Sequence, residues 1–215
     1  MQITINQMTG DNYFKIRFDN SDLEFGIDSA ELRLWSANVQ EEKIGLYINV
    51  QAKGKSFITE DNGEAYEHYI KPRIYTEWLD IPIDSIKDKD YKNLESVKVD
   101  FKDSGEMTEI EQMIWTEAPG ALYVDNHGVF ESVIIEFKHL GKGMFNVTLK
   151  GSARHNTPFE VSADIPLEVK LQAYDKRSTK EELLNYFDRI VGRSDFEFEW
   201  KEREQDVFLN ARVKR

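Results

Sequence analysis

Residues 129–151 have the sequence VFESVIIEFKHLGKGMFNVTLKG, and this stretch decides the expected fold. The runs from Val129 to Phe137 and from Met144 to Gly151 are rich in β-branched and aromatic residues, which are typical of strands. Gly141-Lys142-Gly143 separates the two runs, and glycine readily adopts the positive φ that a tight turn requires. The stretch therefore predicts a β-hairpin.

The same two-residue alternation recurs on both sides of this hairpin. Apolar residues alternate with polar ones from Leu46 to Ala52, from Phe196 to Trp200 and from Val207 to Val213. Further strands are predicted at 3–5, 14–18, 30–35, 66–83, 97–101 and 158–174, the last with a bulge at Pro166. Many short strands with turn residues about every 10 positions predict a mainly β fold, either an antiparallel β-sandwich or a flattened barrel.

One α-helix is predicted at about 179–191. Ser178 and Glu181 have the spacing of a capping box, and Gly192 is expected to end the helix. One stripe of the helix is apolar and should face a sheet; it comprises Leu183, Leu184, Phe187, Ile190 and Val191. Residues 107–117 fit a strand or a helix, and their alternation favours a strand.

The chain is interpreted as a single β-rich domain, residues 1–215. A faint internal similarity offers an alternative of two similar β halves, about 1–118 and 119–215. In each half two strands flank a glycine, and an Asp-Ile-Pro tripeptide follows at Asp80–Pro82 and Asp164–Pro166. Chance alternation in a β protein produces similar patterns, so the single domain is the first interpretation.

Composition and charge exclude several classes of protein. The chain has no cysteine, which removes disulfides and thiolate chemistry, and its net charge is −12. Such a charge repels nucleic acid and anionic membranes on average, and its simplest interpretation is solubility alone. Its functional interpretation is a basic protein partner. Met1 to Asn6 lack the features of a signal peptide, and no apolar run approaches the roughly 18 residues of a spanning helix. We therefore expect a cytoplasmic protein.

Motifs that would indicate catalysis or a cofactor do not occur in the sequence. There is no phosphate-binding or dinucleotide-binding glycine motif, no His-Glu-x-x-His and no Gly-x-Ser-x-Gly. His139 and His155 flank the predicted hairpin and would form a site only if the strand ends met. The sequence therefore predicts no catalytic residue, no metal site and no cofactor.

Two kinds of residue are candidates for binding. Carboxylates two residues apart on a strand share one face at roughly 7 Å, as expected for Glu109 with Glu111 and Glu197 with Glu199. Aromatic side chains that could form a binding platform are Trp78, Trp115 and Tyr123. The simpler interpretations are a solvated charged face and rings packed in the core; Trp200, which alternates with Phe196 and Phe198, is expected to be core.

Three functions follow from these observations. The first hypothesis is a non-enzymatic protein-binding module, of the acidic immunity or inhibitor type, that docks on a basic partner. The second is a β-sandwich that binds a carbohydrate or another small ligand through exposed rings. The third is a hydrolase whose carboxylates or histidines converge in a pocket, with Glu109, Glu111, His139 and His155 as candidates. The missing motifs favour the non-enzymatic hypotheses.

Overall fold

A computed structural model describes residues 12–18, 21–38, 40–61, 64–77, 79–102, 118–124, 126–174, 178–204 and 206–214. The strands are β1 (Tyr13–Phe18), β2 (Ser21–Phe25), β3 (Ile27–Ser36), β4 (Lys43–Ala52), β5 (Lys55–Asp61), β6 (Glu64–Ile70), β7 (Arg73–Thr76), β8 (Asp80–Pro82), β9 (Val99–Lys102), β10 (Gly120–Tyr123), β11 (His127–Gly141), β12 (Met144–Ala153), β13 (Thr157–Ala173), β14 (Phe196–Arg203) and β15 (Asp206–Val213). Helix α1 spans Lys180–Ile190, and short 3₁₀ turns span Ile83–Ser85, Lys87–Lys89, Tyr91–Ser96 and Arg193–Asp195. The predicted strands at 3–5 and 107–117 lie outside the described residues.

Seven strands pair in a closed cycle. The order is β3, β4, β7, β10, β11, β12, β13 and back to β3. The mainly β prediction is confirmed, and the closure joins the strands in the manner of a flattened barrel. The pairing of β13 with β3 is parallel, whereas the other pairings in the cycle are antiparallel. The expectation of a purely antiparallel sheet is wrong at this pairing, because alternation reports burial and not strand direction.

Strand β13 closes the cycle because it changes partners along its length. Its first half pairs with β12 and β1, and its second half pairs with β3 and β15. Odd-numbered residues from Phe159 to Ala173 are buried on both sides of Pro166. The predicted bulge at Pro166 is therefore wrong. The proline is accommodated where β12 ends, and the backbone N–H of Leu167 bonds instead to the Gly143 carbonyl at 2.9 Å.

The hairpin between β11 and β12 is confirmed and depends on its glycines. Gly141, Lys142 and Gly143 have φ values of 94°, 50° and 70°. A Cβ atom on Gly143 would lie 2.5 Å from the Cβ of Val213, so glycine is required there both for its conformation and for space. The turn thereby packs against the end of β15.

Helix α1 is confirmed, with two corrections at its ends. The N-cap is Thr179, whose hydroxyl accepts from the Glu182 N–H at 3.2 Å while the Glu182 carboxylate accepts from the Thr179 N–H at 2.6 Å. The predicted box of Ser178 and Glu181 is therefore displaced by one residue, because both registers have the same spacing. The helix ends where Val191 becomes extended, and Gly192 has a negative φ of −69°.

The apolar stripe of α1 packs against the terminal hairpin. The Phe187 ring lies 5.1 Å from the rings of both Phe196 and Phe198. Tyr186, absent from the predicted stripe, is buried and donates its hydroxyl to the Lys43 carbonyl at 2.6 Å. Leu184 is only partly buried. The helix therefore links the terminal hairpin to the start of β4.

Strands from both predicted halves contribute to the cycle. Strands β3, β4 and β7 come from the first half, and β10 to β13 come from the second. Whether a duplication produced the chain stays a prediction. Strands β5 and β6 form a separate two-stranded sheet beside the cycle.

Candidate functional site

The predicted site residues fall into two groups. Glu109, Glu111, Trp115 and Trp78 lie outside the described residues. Tyr123, Glu197 and Glu199 are described, and all three are exposed on the outer side of the strand cycle and its terminal hairpin. Two described regions are therefore candidate sites. One surrounds Tyr123 and the other surrounds Glu199.

Around Tyr123, strand pairing brings aromatic and cationic side chains onto one outer surface. Arg33 is opposite Tyr47, Asn49 is opposite Tyr75, and Arg73 is opposite Tyr123. Residues opposite each other in a sheet point to the same face. We call this set the aromatic stripe; it comprises Arg33, Trp35, Tyr47, Arg73, Tyr75, Tyr123 and His127.

Tyr75 is the buried centre of the aromatic stripe. Its hydroxyl lies 3.0 Å from Nδ1 of His127, and the Arg73 guanidinium lies 5.1 Å from its ring. Burial raises the pKa of the Tyr75 hydroxyl, the Glu77 carboxylate adds to the rise, and Arg73 opposes it. The side chain is therefore neutral at physiological pH and serves as a packing platform for its neighbours.

The neighbours of Tyr75 are held in place by contacts with one another. Arg73 donates from Nε to Asn49 Oδ1 at 2.7 Å, and the His127 ring lies 5.0 Å from the Tyr123 ring. The Arg33 guanidinium lies 5.3 Å from the Tyr47 ring. Trp35 and Tyr123 are each 39% exposed. Tyr123 is thus an accessible ring held against His127. Trp35 is an accessible ring at the other end of the aromatic stripe, roughly 20 Å away along the strands.

Around Glu199, the outer side of β3, β13, β15 and β14 forms a groove of about 260 Å³. Five of its lining side chains are cationic: Arg33, Lys170, Lys201, Arg203 and Arg212. Its carboxylates are Glu168 and Glu199. We call this feature the basic groove. Pockets that enclose whole small molecules are typically about 300–1,000 Å³, so this groove is smaller than a typical ligand pocket.

The charges in the basic groove are only partly balanced. Glu168 is shared, since it accepts from Arg212 at 2.8 Å and lies 3.8 Å from Arg33 Nε. Glu199 pairs with Lys201 at 3.2 Å. Among the described residues Lys170 makes no ion pair and instead lies 5.9 Å from the Phe208 ring. This part of the surface is locally positive, although the whole chain is acidic.

Trp200 is less buried than its alternation predicted. It is partly buried against the core, and Lys180 Nζ lies 5.5 Å from its ring. The prediction that it is a core residue holds only in part, because β14 pairs with β15 alone among the described strands.

The geometry required for a hydrolase is not formed by the described histidines. His139 lies beside the β11–β12 turn, opposite Phe145, whereas His155 follows the far end of β12. Eight residues of β12 between these points correspond to roughly 26 Å. The suggestion that the two could converge is therefore wrong. In the ranges that the structure describes, no group of three or more His, Cys, Asp or Glu residues could hold a metal ion.

Sequence reasoning missed most of the aromatic stripe. Trp35 and Arg33 alternate with the buried Leu34 and Leu32, so their outward direction follows from the strand pattern alone. Arg73 and Tyr75 gave no such signal, because Ile74, Tyr75 and Thr76 are buried in succession. Their meeting with His127 depends on pairings that join β7 to β10 and β10 to β11.

Comparisons with known proteins found no similar protein. No family model matches the chain, and neither a curated protein nor a solved structure is significantly similar to it. Within the described part of the chain, no helix has the length and apolar character needed to cross a membrane. The fold and its outer surface therefore define the protein as a mainly β protein with two adjoining candidate binding regions.

Proposed function

We propose that this chain is a non-enzymatic protein-binding module that docks its partner on the aromatic stripe. The observation that carries the proposal is the exposure of Trp35 and Tyr123 beside arginine and histidine side chains. Tryptophan, tyrosine and arginine dominate the energetics of protein interfaces, because they bury large areas and also offer hydrogen bonds. The contacts around Tyr75 reduce the entropy lost when a partner binds.

The net charge supports the proposed class of partner. A charge of −12 attracts a basic protein over distances of the order of a Debye length, about 8 Å at physiological salt, and raises the association rate. An acidic module of the immunity or inhibitor type would use such steering to reach its partner. The basic groove adjoins the aromatic stripe at Arg33 and would meet acidic side chains on the same partner.

The test begins with a pull-down from native lysate, followed by affinity measurements on the purified partner. Trp35→Ala combined with Tyr123→Ala should weaken binding by about tenfold or more, since both rings are removed. The matched control is Ile134→Ala combined with Leu140→Ala, which removes side chains that are 47% and 40% exposed outside the stripe. This control should bind as the unchanged protein does.

Two results would contradict the proposal. One is the recovery of no stoichiometric protein partner. The other is equal binding by the stripe variant and its control, measured after circular dichroism has shown that both are folded. A fall in association rate with added salt is expected as well, because steering between exposed charges is screened.

Carbohydrate binding is the second candidate, and the two accessible rings also favour it. Exposed aromatic rings provide apolar platforms for the flat faces of sugars, and Trp35 supplies a fluorescence signal. A glycan array followed by fluorescence titration would distinguish the candidates. Binding to a polysaccharide that disappears in Trp35→Ala, with no protein partner recovered, would replace the first proposal with the second.

A further inference from the structure

Strand β14 forms an exposed edge of the sheet. Within the described residues it pairs with β15 alone, in register from Phe196 opposite Val213 to Arg203 opposite Asp206. Glu197, Glu199, Lys201 and Arg203 are all exposed. The backbone groups on the far side of an edge strand are available to another strand, and natural proteins usually protect such edges.

The charges along this edge change sign at the middle of the strand. The outward face of β14 carries two acidic residues, Glu197 and Glu199, followed by two basic residues, Lys201 and Arg203. An edge with charges of one sign would repel a second copy. This edge, in contrast, is complementary to itself when a second copy runs antiparallel to it.

The complementary register has its centre at Trp200. In that register Glu197 is opposite Arg203 of the second copy and Glu199 is opposite Lys201 of the second copy, so four pairs of opposite charge form across the junction. Cross-strand pairs of opposite charge stabilise a sheet, and like charges opposite each other destabilise it. Trp200 lies opposite its own counterpart, and its exposed part gains an aromatic contact.

Other registers are less favourable. A shift of two residues in one direction places Glu199 opposite Glu199, and a shift in the other direction places Lys201 opposite Lys201. A parallel arrangement in register places like charges opposite each other at all four positions. Because one antiparallel register pairs all four charges of the outward face with opposite charges, the edge selects both the orientation and the alignment of its partner.

We infer that two copies of this chain associate through antiparallel pairing of their β14 edges about a two-fold axis at Trp200. The interface is isologous, because the same strand is used by both copies. The pairing joins the terminal sheets of the two copies and extends the outer face that carries the basic groove. It leaves the aromatic stripe, which lies on β3, β4, β7, β10 and β11, accessible for the partner proposed above.

The first test uses size-exclusion chromatography with light scattering and sedimentation equilibrium. The unchanged protein should approach twice its monomer mass of 25.2 kDa as its concentration rises. Glu197→Lys with Glu199→Lys gives an all-basic edge, and Lys201→Glu with Arg203→Glu gives an all-acidic edge. Each variant alone should dimerise at least about tenfold more weakly, whereas an equimolar mixture should form a heterodimer.

A matched control separates the edge from general effects of charge. Glu24→Lys with Glu136→Lys changes the net charge by the same amount as the all-basic variant, at side chains that are 65% and 59% exposed and lie outside β14. This control should dimerise as the unchanged protein does. A monomeric unchanged protein, undiminished self-association of both edge variants, or a mixture that stays monomeric would each overturn the inference.

A second test reports the register directly. The chain has no cysteine, so Trp200→Cys introduces a single thiol at the proposed axis. Residues directly opposite in an antiparallel pair have Cα atoms about 4.5–5.5 Å apart, which a disulfide can bridge. Mild oxidation should cross-link this variant rapidly, and Glu197→Cys, which lies opposite Arg203 of the second copy, should cross-link slowly. Equal rates would contradict the proposed register.

Discussion

Strands β3 and β4 present two different faces, and the difference shows how this molecule separates core packing from surface chemistry. On the inner face Leu32, Leu34, Leu46 and Ile48 are at most 2% exposed. On the outer face the intervening residues of the same strands carry charges and rings, and Trp35 is 39% exposed. Residues that are adjacent in the sequence therefore lie in different environments, one in the core and the next at the surface, because successive side chains of a strand point to opposite sides.

The comparison teaches that one strand can change its surface chemistry without changing its core. Aliphatic side chains on the inner face are enclosed by the closed cycle, so each one contributes through burial and close packing. Side chains on the outer face contact water and one another, and exposed ion pairs there contribute little to stability. We expect substitutions on the two faces to separate in the same way.

The largest effect is expected for Leu34→Ala, compared with its neighbour Arg33→Ala. Leu34 is fully buried, and its truncation should lower the free energy of unfolding by about 2–5 kcal/mol because a cavity is left. Arg33 takes part in partly exposed ion pairs with Glu31 and Glu168, so its removal should cost less than about 1 kcal/mol. Urea denaturation measures both values, and equal costs would break the distinction between the faces.

An intermediate effect is expected at Thr76, a buried polar residue. Its hydroxyl accepts from the Ile48 N–H at 2.9 Å and donates to the Leu46 carbonyl at 2.8 Å. Thr76→Val keeps the shape but leaves two backbone groups of β4 without partners, so stability should fall by about 1–3 kcal/mol. Thr76→Ser keeps the hydroxyl and should cost less in thermal or urea unfolding. If serine proves worse than valine, the methyl group matters more than the hydrogen bonds.

The smallest effect is expected at Glu160, on the outer side of β13. The Tyr13 hydroxyl donates to its carboxylate at 2.5 Å and lowers the pKa of Glu160 below its ordinary value of 4.5, with a further contribution from Lys150. A pKa lowered by folding stabilises the folded state above the ordinary pKa, and this stabilisation is lost as the pH falls through and below that value. Tyr13→Phe should therefore reduce the loss of stability between about pH 6 and pH 3.

The measurement for Glu160 is the difference in unfolding free energy at these two pH values, for the unchanged protein and for Tyr13→Phe. The effect should be small because the glutamate side chain is 36% exposed and water screens its interactions. A pH dependence that is identical in both proteins would show that the hydrogen bond does not act on the titration of Glu160.

Much of the fold was predictable where a local pattern is sufficient. The hairpin at Gly141–Gly143 and the strand from Leu46 to Ala52 are confirmed, since turn residues and alternation act over a few positions. Helix α1 is confirmed for the same reason, with its cap displaced from Ser178 to Thr179. The candidate site was predicted less well. Tyr123 and Glu199 were named, whereas Trp35, Arg73 and Tyr75 were missed because long-range strand pairing brings the aromatic stripe together.

The sequence by itself determined which side chains face inward along most strands, where the main turn and helix occur, and the acidic net charge, because these depend on neighbouring residues or on composition. The tertiary structure decided that β13 pairs in parallel with β3, that Tyr75 meets His127, and that a basic groove forms on an acidic protein. These features join residues far apart in the chain. They come into contact only because the strands of the closed cycle pair in one register. Burial of the whole core selects that register.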